Sequence, residues 1–398
     1  MSGPRSNNAS LRLQSVTALL LLWSSGCALR LTILAVPPVI PRIHNALNLT
    51  ATQVGVLTGL PSLLFAAAAV PGSLLIARLG ARTALVAGLL LTAFGGALRG
   101  ALPDLVWLYA TTVAMGAGVA IMQVTMPTAV RAWVPDRIAF ATAVYANGLL
   151  VGEMLPASLT LPLVLPYIAD SWQWALVVWS VPVALVAVLV LALAPKHTVI
   201  SGAAPRRRWW PDWRNPLVWR LGIMLGTSNA IYFASNAFLP DYLQSRGEAA
   251  WLSAALTGLN VGQLPVSFLL LATASRLERK AWPYALCGVL GLAATAGIVY
   301  GTGAWIVVAT TVQGAAAAAV LILLLALPPL LARPDDVHRV TAAMFTISYS
   351  CAVITPIVSG LVWDVSGIAA LAFVPIAFFA ATLILLAPAI AQVRPAVD

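Results

Sequence analysis

The chain has 398 residues, of which 61% are hydrophobic and 9% charged; soluble domains carry roughly 25% charged residues, so no water-facing surface can be built and lipid must be the solvent. The net charge of +10 does not signal nucleic acid, because the basic residues lie between apolar runs rather than on one face. Cys27, Cys287 and Cys351 sit in apolar runs without CxxC spacing, and no P-loop, HExxH or GxSxG is present, with His44, His197 and His338 read as loop residues; enzyme chemistry, ATP-driven pumping, a metal and a cofactor are therefore not expected.

Apolar runs of about 20 residues, the length that crosses roughly 30 Å of hydrocarbon, recur along the whole chain. They predict an all-α membrane protein with twelve transmembrane helices at 15–37, 53–77, 83–101, 105–130, 138–162, 172–194, 216–239, 250–272, 282–301, 304–331, 340–363 and 367–391. The first run is longer than a signal-peptide core, lacks a clean cleavage site, and is read as a retained first span. After the sixth span, 195–215 is rich in Pro, Arg and Trp and reads as a cytoplasmic linker between two six-helix bundles, 1–194 and 216–398. Its Arg206-Arg207-Arg208-Trp209-Trp210 run can bind anionic headgroups of the inner leaflet, and is read first as topogenic charge. With the N-terminus inside, eighteen basic residues fall on the inner side and only Arg42, Arg99 and Arg246 on the outer, which predicts both termini in the cytoplasm of a bacterial inner membrane.

Within the spans, charge is nearly absent. Arg30 in the first span and Glu153 in the fifth are the ionisable exceptions, each about 15 residues, or about 22 Å, beyond a cytoplasmic helix start, so they are expected at similar depth. A charge there costs several kcal/mol unless paired or hydrated, which makes both residues functional candidates. Gln123 and Asn147 are polar candidates in spans four and five. Gly148 and Gly152 form a GxxxG just before Glu153 and predict close helix approach. In the second half, Asn229, Tyr232 and Asn236 recur on one face of the seventh span, and Asn260, Gln263, Gln313 and Tyr349 follow on the eighth, tenth and eleventh. Each can contact a substrate or serve as a hydrogen bond between helices.

An offset of 199 residues places Leu57-Thr58-Gly59-Leu60 on Leu256-Thr257-Gly258-Leu259, Pro41 on Pro240, and Thr142-Ala143 on Thr341-Ala342. The halves read as two parallel six-helix repeats, an arrangement that puts a transport site near the midplane. Arg30 maps to Asn229 and Glu153 to Ala352, so only one half carries the charges.

The repeat, together with the basic loop Arg78-Leu79-Gly80-Ala81-Arg82, resembles the major facilitator superfamily over the full chain. Within it, three stretches resemble the cyanate and 2-nitroimidazole transporter family: Leu29-Arg30-Leu31 with Pro37-Pro38, Gly116 to Pro135 in and after span four, and Phe238 to Gly247 at the exit of span seven. The resemblance implies the major facilitator fold, alternating access, a gating role for Arg78, Gly80 and Arg82, and a small-molecule substrate carried by a monomer in the bilayer. Ala77 stands where the superfamily usually has aspartate, and Glu153 follows Gly152 where drug antiporters have proline.

The functional expectation is a carrier for a small anion, cyanate first, in which Arg30 binds the anion and Glu153 balances it and couples transport to protons. The alternatives are transport or export of neutral nitroimidazole-like or other xenobiotic compounds, and a non-transporting membrane receptor.

Overall fold

A computed structural model describes residues 5–67, 69–195, 212–332 and 337–392. Among these residues there is no strand. A bilayer leaves the chain no other single-segment solution, since a helix satisfies its own backbone polar groups where water is absent. The helices are α1 Arg5–Leu34, α2 Ile40–Leu47, α3 Ala51–Ala67, α4 Ala69–Leu98, α5 Leu105–Trp133, α6 Ile138–Leu159, α7 Trp172–Leu193, α8 Pro216–Ser245, α9 Leu252–Val261, α10 Gln263–Leu277, α11 Ala281–Tyr300, α12 Ala304–Leu325, α13 Pro328–Leu331, α14 Val337–Ser366 and α15 Val374–Gln392.

Ten of the described helical stretches are long and apolar enough to cross a membrane. Two further spans complete the twelve. One is α8, 30 residues long, whose polar Ser228, Asn229, Ser235 and Asn236 lower its hydropathy yet are all buried inside the protein. The other is α3, a shorter apolar helix of 17 residues. Gly80 breaks α4 with φ 77° and ψ 161°, a conformation only glycine enters freely, so α4 divides there and 81–98 forms the third span.

Local signals explain the ends. Asp104 caps α5 through the Trp107 amide at 2.7 Å, and Asn215 caps α8 through the Leu217 amide at 3.0 Å with Pro216 in the first turn. Pro37 and Pro38 stop α1; the chain restarts as α2, which carries His44 on a helix rather than in a loop. His338 likewise lies in the first turn of α14. The apolar part of α1, from Ser15 to Leu34, already rises about 30 Å at 1.5 Å per residue, so α2 stands beyond the hydrocarbon. His197 and the 206–210 basic run lie outside the described residues.

The chain divides into two compact units, Met1–Val36 with Ala67–Ala203, and Pro37–Ala66 with Ala204–Asp398. In the first, α4 and α5 pack backbone to backbone: a Cβ on Gly118 would lie 2.5 Å from the Thr92 amide nitrogen. In the second, Leu221, Leu225, Tyr284, Leu323, Leu324 and Met344 form the apolar core, and α2 and α3 pack with the C-terminal helices. Outward faces are apolar too: Val181, Leu185 and Val188 of α7 are 51–60% exposed, as suits side chains solvated by lipid tails.

Small residues set these helix separations. A Cβ on Gly314 would lie 1.9 Å from the Leu259 carbonyl oxygen, backbone that cannot yield, whereas one on Gly291 would first meet the Ala380 side chain at 3.3 Å. Gly314→Ala is therefore expected to destabilise by about 1–3 kcal/mol as an overpacked site, and Gly291→Ala by much less, read as thermal unfolding midpoints of the purified protein.

Candidate functional site

Arg30 and Glu153 meet because α1 and α6 touch through glycines. A Cβ on Gly148 would lie 2.2 Å from the Trp23 carbonyl oxygen and one on Gly152 2.3 Å from that of Cys27, while Gly26 faces the Tyr145 carbonyl at 2.3 Å from the other side. With the two backbones this close, Arg30, one turn past Gly26, brings its Nε to 3.3 Å from Oε1 of Glu153, the residue after Gly152, with the side chains 11% and 8% exposed. The pair is the geometry expected of two charges that share a low-dielectric interior.

The neighbouring candidates of this unit behave differently from each other. Asn147 accepts a bond from Trp23 Nε1 at 3.0 Å, which ties α6 to α1 nearer the helix starts. Gln123 on α5 keeps a buried Oε1 with no partner. Arg82 donates to the Leu191 carbonyl oxygen in the last turn of α7, where a helix C-terminus attracts cations; Arg78 is exposed, and Gly80 supplies the bend between them.

In the second unit the polar candidates form a neutral network. Tyr232 donates to Asn260 Oδ1 at 2.6 Å, Asn260 Nδ2 reaches Asn236 Oδ1 at 3.3 Å, and Asn236 Nδ2 returns to the Tyr232 carbonyl at 3.0 Å. Asn229 donates to Ser348 Oγ at 2.8 Å. Gln313 donates to Ser235 Oγ at 2.6 Å and keeps a buried Oε1 without a partner. Gln263 is buried at the break between α9 and α10. Tyr349 sits between the Phe65 ring, edge-on at 5.1 Å, and the Phe345 ring, stacked at 5.9 Å. Each of the seven therefore makes a polar or ring contact in this unit or lies buried at a helix break, and Gln313 in addition keeps a buried acceptor open.

Three features were not singled out from sequence. Arg99, counted as an outer-side charge, is 2% exposed at the end of α4. Its Nη1 donates to the Thr32 carbonyl at 2.9 Å, a group whose i+4 amide, that of Val36, turns to the Ile33 carbonyl at the end of α1. Asp241 Oδ2 lies 2.7 Å from His44 Nδ1. Asp364 accepts from the Ala51 and Thr52 amides at 2.8 Å each. The partners are 67, 197 and over 300 residues apart, so one sequence offers no signal that joins them.

The family model described as Major Facilitator Superfamily matches residues 22–356. A 2-nitroimidazole transporter of Escherichia coli (strain K12) is 30% identical over 58% of this chain and 58% of its own, so the chain spans under two thirds of that relative. The cyanate transport protein CynX of the same organism is 26% identical over 66% of this chain and 68% of its own. Among solved structures, a bacterial homologue of the human lysosomal transporter Spinster superposes with a TM-score of 0.73 at 14% identity, covering 95% of this chain and 96% of its own. The nucleoside transporter NupG gives 0.71 at 14% identity, with 96% and 99% covered.

The buried ion pair makes a specific energetic prediction. Glu153→Ala alone strands a buried cation and is expected to destabilise by about 3–5 kcal/mol, whereas Arg30→Met with Glu153→Leu removes both charges and should be close to neutral. Thermal unfolding of the two variants against wild type checks the difference.

Proposed function

The chain belongs to the Major Facilitator Superfamily, a multi-pass membrane transporter rather than an enzyme, and from that premise we propose that it carries a small anion, with cyanate the first to test. The observation that carries this reading is the Arg30–Glu153 pair, 3.3 Å apart and largely buried. A guanidinium presents its N–H donors in a planar fork whose geometry matches a linear or carboxylate-like anion, which makes Arg30 the group that such an anion engages. Its arrival competes with Glu153. Losing its counter-charge in a low-dielectric site, Glu153 takes up a proton, and the two movements become coupled.

Polar contacts to the cargo are assigned to Gln123 and Asn147 in the unit of Arg30, and to Asn229, Tyr232, Asn236, Asn260, Gln263, Gln313 and Tyr349 in the other unit. Alternating access by two six-helix halves, 1–194 and 216–398, is part of the same proposal, with residues 37–66 of the first half grouped with the C-terminal helices. The excess of inner-side Lys and Arg supports cytoplasmic termini in a bacterial inner membrane. The Arg78–Arg82 bend then lies on the cytoplasmic side as a gating element, and one chain is the transporting unit.

A second reading, a neutral nitroimidazole cargo, is favoured by a different observation: Gln123 Oε1 and Gln313 Oε1 are buried acceptors without partners, which an imidazole N–H can satisfy. The relative named for 2-nitroimidazole transport points the same way.

Thermal shift separates the two. A ligand at 100 times its Kd adds about 2.7 kcal/mol to the folded state, and cyanate is expected to stabilise wild type but not Arg30→Lys, which keeps the charge and loses the fork. Stabilisation by 2-nitroimidazole alone, unchanged in Arg30→Lys, moves the assignment to the neutral cargo. In proteoliposomes, Glu153→Gln is expected to retain downhill anion flux and lose accumulation driven by a pH gradient; accumulation that survives the change refutes the role given to Glu153.

A further inference from the structure

Segment Pro37–Ala66 belongs to the first sixth of the chain, yet it groups with Ala204–Asp398 in one compact unit. Apolar burial alone does not hold it there. Asp241 of α8, 8% exposed, sets its carboxylate 2.7 Å from His44 Nδ1 on α2. Asp364, at the end of α14, accepts from the Ala51 and Thr52 amides and from the Thr52 hydroxyl, filling the open N-terminus of α3. Between these two points the seam is flush: a Cβ on Gly55 would lie 2.3 Å from the Pro356 carbonyl oxygen, and one on Gly360 2.3 Å from that of Ala51. A seam closed this tightly opens as a whole or not at all.

We propose that His44 and Asp241, backed by the Asp364 cap, form a proton-sensitive latch that closes α2 and α3 onto α8 and α14. Histidine is the side chain whose charge ordinarily changes near neutral pH. The charged groups bearing on His44 are Asp241 of α8 and Asp364 of α14, with Arg42 on its own helix. Its bond to Asp241 raises its pKa above 6.5, against a lowering by partial burial, and the charges of Asp241 and Asp364 raise it further. For a base whose folded pKa is raised, the linked stability is complete below the ordinary value and is lost as pH rises through the raised one. Acid therefore shuts the latch and alkali loosens it. With the termini inside, as proposed above, α2 follows the first span on the outer face, so protons arriving from outside favour closure of that face. The latch concerns conformation and not cargo, and its test uses no substrate, so an error in the anion assignment leaves it standing.

Hydrogen exchange of the purified protein, read by mass spectrometry on peptides spanning 48–57 and 237–244, provides the test. It is run at about pH 5.5 and about pH 8, on either side of the ordinary histidine value, with rates corrected for the intrinsic effect of pH. Wild type is expected to exchange about two- to fivefold faster at the higher pH, the range for a partly exposed ion pair. His44→Gln and Asp241→Asn are each expected to abolish that difference. Asp364→Asn should raise exchange at both pH values and keep the difference. Equal corrected rates in wild type, or a pH difference that survives in both His44→Gln and Asp241→Asn, overturns the latch.

Discussion

A bilayer core offers a polypeptide neither hydrogen bonds nor counter-ions, and each unsatisfied group left there costs several kcal/mol. Helices follow directly from this constraint, but so do the details at each helix interruption. Where α1 ends and the Val36 amide turns to Ile33, the Thr32 carbonyl is met by Arg99. Where α3 begins, its free amides are met by Asp364. Where α7 ends, the Leu191 carbonyl is met by Arg82. Each of these charges meets a backbone group that a helix end leaves without an intrahelical partner, and in the interior Arg30 and Glu153 meet each other.

The scarcity of charge in the spans is also what made part of the site legible in the sequence. Twelve spans could be read because lipid-facing and core-facing positions are alike apolar, so the signal is the length of the run and does not depend on a period. Arg30 and Glu153 stood out because so little else in the spans is charged, and Gly148 with Gly152 gave the close contact that brings them together. The division at Gly80 in α4 was legible, because the basic 78–82 stretch parts the second predicted span from the third; the one between α9 and α10 was not, since a break inside an apolar run leaves hydropathy unchanged. Nor were the partners of Arg99, His44 and Asp364: each is a polar residue near a loop, which in a hydropathy reading means the aqueous edge. Burial at such places is decided by which distant helix arrives, and a single sequence carries no record of that.

Close backbone approach is the second device on which the structure leans. Lipid tails are as apolar as leucine, so helices gain little by hiding side chains from lipid and must associate through packing and polar bonds. The glycines at the α1–α6, α4–α5 and α9–α12 contacts remove the side chain that would hold the helices apart, and the amides of α8 and α9 then bond across the short gap. Tyr232, Asn236 and Asn260 are thus held in place by bonds within their own unit before any ligand is considered. On the proposed reading, that network forms a fixed wall.

The duplicated halves have diverged in a way that bears on where proton sensitivity can reside. The position of Arg30 corresponds to Asn229, and that of Glu153 to Ala352; Asn229 is engaged with Ser348, a bond between neutral groups that no physiological pH change alters. One half therefore kept or acquired a pair of opposite charges, and the other replaced it with groups that do not titrate. If both halves carried charge, protonation on either side of the site would shift the balance between conformations, and cargo and proton would compete at two places. With the charge confined to α1 and α6, a proton acts on the cargo site through Glu153 alone, while the other group proposed to respond, His44, acts through the closure of α2 and α3 and not through the site. Binding and gating are then separable by single substitutions, because the titrating groups assigned to them belong to different compact units and share no partner in either bond.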